Sequence, residues 1–384
     1  MEAEKLSKDS GRSISFFYLS ARIFLVIFLA GFLTLFLISS PLLSAETAEE
    51  EELSLERAVQ LMEEHSTDLK VAYLEMDNAE IEHEKSRAEH IRTESRLQKL
   101  SAELSYQQSR QQFRSTALGI YLEFMNDYHQ LKLLDREVEA AGRNLELAEA
   151  ELRDVEQKVE AGHEGRIELL RQQMEVNNAR FELEEAEEDL EKKEREMRST
   201  LELEELPPLT SELAPGEEPE LPDRSQAVEK TLEHSLELEV SDLSLELAEI
   251  ELERAEISDT SDLDMLEKEN ELELARLEYQ QTEESVEEDA LDQLHTVRQA
   301  GLQVGLSRDN LAQAEEHQRI TREQRQAGLV SERELERAEL EKIEAELDVQ
   351  EALASRLASY LELQEMMGVE VEVIRDEILD AFTE

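Results

Sequence analysis

The side chains with chemistry to offer are plentiful but poorly gathered. Eight histidines and 96 acidic residues stand in a chain of 384 with no cysteine, so thiolate nucleophiles, thiolate metal ligands and disulfides are excluded. His83 and His90 fall two turns apart on one helical face, yet no close partner completes a metal set, and solvent-exposed histidines are the expectation. His65 and His234 occupy matching places before a helix. Carboxylate pairs are everywhere, but acid–base catalysis needs one carboxyl raised by an apolar pocket. A chain with no Trp and 4% aromatic residues implies no such pocket. No enzyme activity, metal or cofactor is expected.

The formal charge of −56 excludes nucleic acid and anionic lipid surfaces as partners, because either would add like charge to a surface crowded with carboxylates. What remains is a scaffold, and its elements are helical. Glu, Leu, Ala, Arg and Gln dominate, and after Pro41 every proline lies between Pro207 and Pro222. Apolar or small residues recur at Leu131, Leu134, Val138, Ala141, Leu145, Ala148, Leu152, Val155 and Val159 in steps of three and four, a coiled-coil seam. Ala161-Gly162-His163-Glu164-Gly165 interrupts it, and a second stripe returns through Val176, Ala179, Leu183, Ala186, Leu190 and Met197. The pattern predicts an antiparallel helical hairpin with Gly162 as C-cap.

The chain then repeats itself. Ala58-Val59 recurs as Ala227-Val228 and Glu64-His65-Ser66 as Glu233-His234-Ser235, a shift of 227 − 58 = 169. Asn144-Leu145 recurs as Asn310-Leu311 and Ala161-Gly162 as Ala327-Gly328, a shift of 328 − 162 = 166. The returning row of the second copy reads Leu340, Ile343, Leu347, Ala354, Leu357 and Leu361, and its descending arm is less regular around Gly301 and Gly305. The organisation is a first helical repeat at 46–204, a Pro-rich linker at 205–225, a second helical repeat at 226–369 and an acidic C-terminal tail at 370–384. Ahead of these, Lys5, Lys8, Arg12 and Arg22 precede an uncharged run from Ile23 to Ser40, with Pro41, Ser44 and Ala45 beyond it. Residues 1–45 fit a signal peptide cleaved after Ala45 or a retained N-terminal membrane anchor, and both place the remainder outside the cytoplasm.

The start Leu53-Ser54-Leu55-Glu56-Arg57-Ala58-Val59, the turn from Glu160 to Leu170, and the second turn Gln326-Ala-Gly-Leu-Val-Ser-Glu-Arg-Glu-Leu335 carry a family resemblance. On them the chain resembles the TolC-like outer-membrane efflux family over nearly its whole length after the signal. The resemblance implies an all-α fold of tandemly duplicated long antiparallel coiled-coil hairpins, with three copies closing into a hollow helical barrel. It further implies an envelope location, outer-membrane or periplasmic, and hairpin tips that meet a periplasmic adaptor (membrane fusion) protein serving an inner-membrane pump. By the same resemblance Gly162, Glu168, Gly328, Leu329, Val330, Ser331 and Glu334 lie at the tips, and Glu334 and Arg337 take the positions of an acidic constriction. There Arg337 replaces an acid and could pair with Glu334.

Two departures weigh against a membrane pore. Family members carry β-hairpins at the places filled here by Arg92–Gln108 and Ser258–Glu271, and neither segment shows alternation, aromatic girdles or hairpin turns. The expected fold is therefore a TolC-like α-barrel without the transmembrane β-strands. In the first copy, where no Gly or Pro stands between Ala45 and Leu118, the chain either reverses through a polar turn or runs on as one very long helix, and the duplication favours reversal. A ring also needs a second contact surface on each hairpin, for which Leu169, Leu170, Met174 and Leu335 are candidates. Glu168 and Glu334 have a plainer reading as carboxylates favoured at helix starts. A structural coiled-coil spacer of the cell envelope is the alternative function.

The charge makes a first test. Raising salt shortens the Debye length to about 3 Å at 1 M, so the circular-dichroism melting temperature of the full chain is expected to rise steadily with NaCl. Equal stability in dilute and concentrated salt would remove carboxylate repulsion as a determinant.

Overall fold

The computed structural model describes residues 52–383 except 94, 215, 217 and 259. The expected signal or anchor segment, 1–45, lies outside the described residues. Helices α1 (Leu55–His65), α2 (Thr67–Thr93), α3 (Arg96–Glu160) and α4 (Arg166–Leu201) form the first part. After a two-residue strand β1 (Glu212–Leu213) come α5 (Arg224–His234), α6 (Leu236–Ile257), α7 (Asp262–Gln326), α8 (Glu332–Met366) and α9 (Val371–Ala381), then strand β2 (Phe382–Thr383).

The duplicated Glu-His-Ser motifs explain how each copy starts. Ser66 and Ser235 interrupt the helix, and their hydroxyls accept from Leu69 N (3.1 Å) and Leu238 N (3.1 Å), capping α2 and α6. The chain reverses between α2 and α3 as the polar segment predicts, with Ser95 as N-cap of α3. Across that hairpin the Tyr73 and Phe113 rings sit 5.0 Å apart, and His83 Nε2 meets Glu103 at 2.8 Å. Ser261 caps α7 in the same way, accepting from Asp264 N at 3.2 Å. At 65 residues each, α3 and α7 run about 98 Å at 1.5 Å per residue. The expected arm from Leu118 to Val159 is only part of α3, because nothing in Arg96–Ala117 breaks a helix.

Each long helix turns back at a glycine. Gly162 (φ +73°) donates to Val159 O and His163 to Lys158 O, and Gly328 (φ +72°) repeats this with Arg325 O and Leu329 with Gln324 O. These are Schellman caps, for which the left-handed residue must lack a Cβ to avoid strain. The far ends of α4 and α8 close alike, on Glu202 (φ +53°) and Gly368 (φ +90°), again 368 − 202 = 166 apart. Glu202 bears the strain of a non-glycine residue and meets His65 Nδ1 at 3.0 Å, whereas His234 packs so closely on Gly368 that an added Cβ would collide with its ring.

The core lies at the waist, where α1, α3, α4, α8, α9 and the linker converge around Tyr128, Met125, Leu55, Leu201, Leu361 and Ile374. The Tyr128 hydroxyl donates to Leu53 O (2.8 Å) and accepts from Ser211 N (3.2 Å), and Leu55 N donates to Ser211 Oγ (2.9 Å). Leu53 pairs in parallel with Leu209, and β1 pairs antiparallel with β2. The linker thus ties both flanks of the chain together. The acidic C-terminal segment buries Val371, Ile374 and Ile378 in this core.

Two expectations give way to the structure. The row Leu340, Leu347, Ala354 and Leu361 is buried, but Leu340 lines grooves together with Leu147 of α3. The repeat shift of 166 instead places Ala345, Val349, Ala352 and Leu363 where the first copy has its hairpin-closing row, and these are buried too. Helix α8 therefore buries two faces, one toward α7 and one toward the first hairpin. Leu170 (51% exposed) and Met174 (63%), expected on a contact surface between hairpins of a ring, are exposed in the single chain. Exposed histidines fail as a rule: His83 stacks on Tyr106 at 4.7 Å, and His129 is buried, its Nε2 donating to Gln350 O at 3.1 Å. Burial holds His129 below its ordinary value, so it is neutral in the fold and costs stability as pH falls below about 6.5.

Substitution separates the caps. Gly162→Ala is expected to cost about 1 kcal/mol from its left-handed backbone alone. Gly368→Ala must also displace His234, so its urea midpoint is expected to fall well below that of Gly162→Ala. Tyr128→Phe, which strands Ser211 N and leaves Leu53 O with only the bond from Thr210 N, is expected to cost about 1–3 kcal/mol in the same assay.

Candidate docking tips

Every residue proposed for the tips stands in or beside the two Schellman turns. Gly162, Gly328, Leu329, Ser331 and Glu334 are exposed, while Glu168 and Val330 are half-buried. The turns offer apolar surface to solvent in an otherwise acidic chain: Leu329 is 75% exposed and Ile167 83%. Isolated apolar residues on a surface are ordinary, and Ile257, Leu263 and Leu302 are similarly exposed elsewhere; Leu329 stands in the second turn itself and Ile167 in the first turn of α4.

The two acids at matching positions, Glu168 and Glu334, do different local work. Glu334 completes a capping box, its carboxylate accepting from Ser331 N (2.7 Å) and Ser331 Oγ (3.0 Å) while Ser331 Oγ accepts from Glu334 N (3.3 Å). Those bonds, with the Arg337 charge behind them, hold its carboxyl below the usual range. Gly165 stands where the second copy has Ser331, so the first copy has no such box, and Glu168 pairs with Arg171 one turn on.

Arg337 does not pair with Glu334 in the way its spacing suggested. It bonds Glu151 of α3, and Arg333 meets Asp154 of α3 at 2.5 Å. The start of α8 is thereby tied to the end of α3, hairpin to hairpin. The sequence holds the signal, two arginines four apart facing two acids three apart, but only adjacency of α3 and α8 gives it meaning. Exposed pairs of this kind contribute about 0–1 kcal/mol each; their effect is on register more than on stability.

Behind the tips the inter-hairpin seam is acidic. A groove of about 490 Å³ is lined by Leu147, Gln172, Ala179, Arg337, Leu340 and Glu344. Burial pushes the Glu344 carboxyl up, and Asp348, Glu341 and Glu182 push it further. Higher on the seam Glu137 is raised by burial and by Glu351 and Asp189. Both carboxylates resist close approach of the hairpins when ionised. Among the described residues no cluster of ligands that could hold a metal is present, and no helix is long and apolar enough to cross a membrane.

The chain is similar to the CusC channel at 12% identity and TM-score 0.54, covering 82% of this chain and 91% of that one. It is similar to the outer-membrane protein VceC of Vibrio cholerae at 12% and 0.55, covering 82% and 96%. The Campylobacter jejuni CmeC outer-membrane channel matches at 12% and 0.53, covering 85% and 89%. No protein-family profile matches the chain, and no curated protein matches it by sequence. At this identity the likeness is one of architecture: the chain has an all-α, TolC-like fold, and at both places where transmembrane β-hairpins would be inserted it has helix–turn–helix. The described strands, two residues each, fall far short of the roughly 9–11 needed to cross a bilayer.

The acidic seam yields a pH test. A carboxyl raised in the fold destabilises the fold when ionised and ceases to do so once protonated, so its penalty grows as pH rises through the folded value. Glu344→Gln is expected to melt above wild type at pH 7, with the difference vanishing near pH 4.5, by circular dichroism across that range. A difference that persists at low pH would mean that repulsion is not its source.

Proposed function

We propose that this protein is the TolC-like component of a tripartite efflux or export system, in which three copies form a helical conduit or docking element. The hairpin tips around Gly162 and Gly328 meet a periplasmic adaptor, and through it an inner-membrane pump. The observation that carries the reading is the pair of matched tips: two Schellman turns of one geometry, 166 residues apart, on a TolC-like scaffold, with Leu329 exposed in the second turn and Ile167 exposed at the start of α4 beside the first. Glu168, Val330, Ser331 and Glu334 shape the contact loops, and Glu334 and Arg337 stand at the constriction. Because Arg337 is engaged by Glu151, the constriction is less negative than an all-acid ring would be. The location is the cell envelope outside the cytoplasm, with residues 1–45 as signal or anchor. The short described strands favour a second reading, a coiled-coil spacer of the envelope without transport.

Mass by light scattering and shape by negative stain of the full chain in high salt separate these readings. A hollow threefold cylinder is expected; a solid monomeric or dimeric rod would favour the spacer. In the cylinder, Leu329→Asp is expected to leave the mass unchanged while abolishing cross-linking to an adaptor encoded alongside.

A further inference from the structure

Within one chain the two hairpins meet through a face of α3 and a face of α8. Toward the tips this seam is ionic, from Arg333 to Asp154 and from Arg337 to Glu151. Behind those pairs it turns apolar, with Leu340 and Leu147 lining one groove and buried Leu347 a heptad further along α8. Because the chain is duplicated, the same two faces exist a second time, on α4 of the first copy and on α7 of the second. Helix α4 pairs with α3, α3 with α8 and α8 with α7, so α4 and α7 are the two flanks.

The repeat shift of 166 gives the content of those flanks. Arg333, Leu340 and Leu347 of α8 correspond to Ile167 (333 − 166 = 167), Met174 (340 − 166 = 174) and Phe181 (347 − 166 = 181) of α4. All three are exposed, the Phe181 side by 64%. Ala140 and Asp154 of α3 correspond to Leu306 (140 + 166 = 306) and Ile320 (154 + 166 = 320) of α7, and both of these are exposed as well. Where the covered faces set Arg333 against Asp154, the open faces thus carry two isoleucines. Both members of an ion pair have become apolar together, although the two residues stand on opposite flanks of one chain. At the second ion pair the counterparts are Arg171 and His317, bonded within their own hairpins to Glu168 and Glu341.

We propose that α4 of one copy docks on α7 of a second copy of this chain, head to tail, in the register of the internal seam near the tips, with Ile167 against Ile320. Two different faces are used, so copies keep adding unless the rotation between them closes a ring. Near the tips this contact is apolar where the internal one is ionic. Raised salt, which screens exposed ion pairs, therefore loosens the seam within a copy and spares the seam between copies. The contact supplies the interface that a conduit requires, but it would serve a spacer filament equally and does not depend on transport.

The chain has no cysteine, so cross-linking reads the contact directly. Ile167→Cys and Ile320→Cys, both at exposed positions, are made in the full chain and treated with a short bismaleimide. Each single variant alone is expected to remain monomeric on a denaturing gel, the two co-expressed to give covalent dimers, and the double variant to give a ladder extending past the dimer. The yield is expected to persist at about 1 M NaCl. Phe181→Glu is expected to lower the light-scattering mass with helix content unchanged. A dimer from Ile167→Cys alone would mean a twofold contact and overturn the head-to-tail interface. So would no cross-link on co-expression, or a yield that falls as salt is raised. An assembly that persists by light scattering without the cross-link would leave the ring standing and remove only this interface, whereas the cross-link without a hollow cylinder would remove the conduit and leave the interface.

Discussion

Tyr128 sits at the centre of α3 with its hydroxyl in contact with two other parts of the chain, the strand-like stretch before α1 and the linker between the repeats. Apolar rows alone give long helices no reason to stay in register over about 98 Å. The waist provides that reason. There the backbone groups of Leu53 and Ser211 leave water for a phenol, the linker pairs with chain on both sides, and Phe382 of β2 closes the end, its ring 6.2 Å from that of Tyr128. A linker that cannot be helical, because of its prolines, is what lets extended chain occur at this one level.

Duplication makes the rest economical, and its imperfections are informative. Both copies use Ser caps after a His and left-handed caps at both ends of the returning arm, yet each pair diverges in detail. Glu202 keeps a strained backbone and touches His65, where Gly368 relaxes and admits His234. Ser331 and Glu334 build a capping box where Gly165 and Glu168 do not. Two nearly equal hairpins can thus meet two different surroundings, which a symmetric pair could not. The same divergence separates Ile167 and Ile320 from Arg333 and Asp154.

Electrostatics pulls the seam between hairpins in two directions. Near the tips, Arg333 and Arg337 reach from α8 to Asp154 and Glu151. Behind them, Glu344 and Glu137 face other acids and are pushed up by burial and repulsion. With a total charge of −56, attraction at a few points holds against repulsion almost everywhere else, and ionic strength sets the balance.

The hairpins and their turns are legible in the residues, since three-four periodicity and a glycine at each break are local rules acting on local residues. The repeat is legible by comparison of the chain with itself, and so is the loss of strand-forming pattern where a membrane barrel would lie. Which residues close which interface is not. Leu340, Leu347, Ala354 and Leu361 look like a hairpin row by spacing, but a helix with two buried faces shows two rows, and only the neighbouring helices say which faces which. The burial of His129 and the partner of Arg337 likewise depend on residues 186 or more positions away in sequence. Local backbone chemistry is written in the residues themselves; pairing between distant helices is decided by tertiary structure, because charge and burial act through space and sequence spacing does not record it.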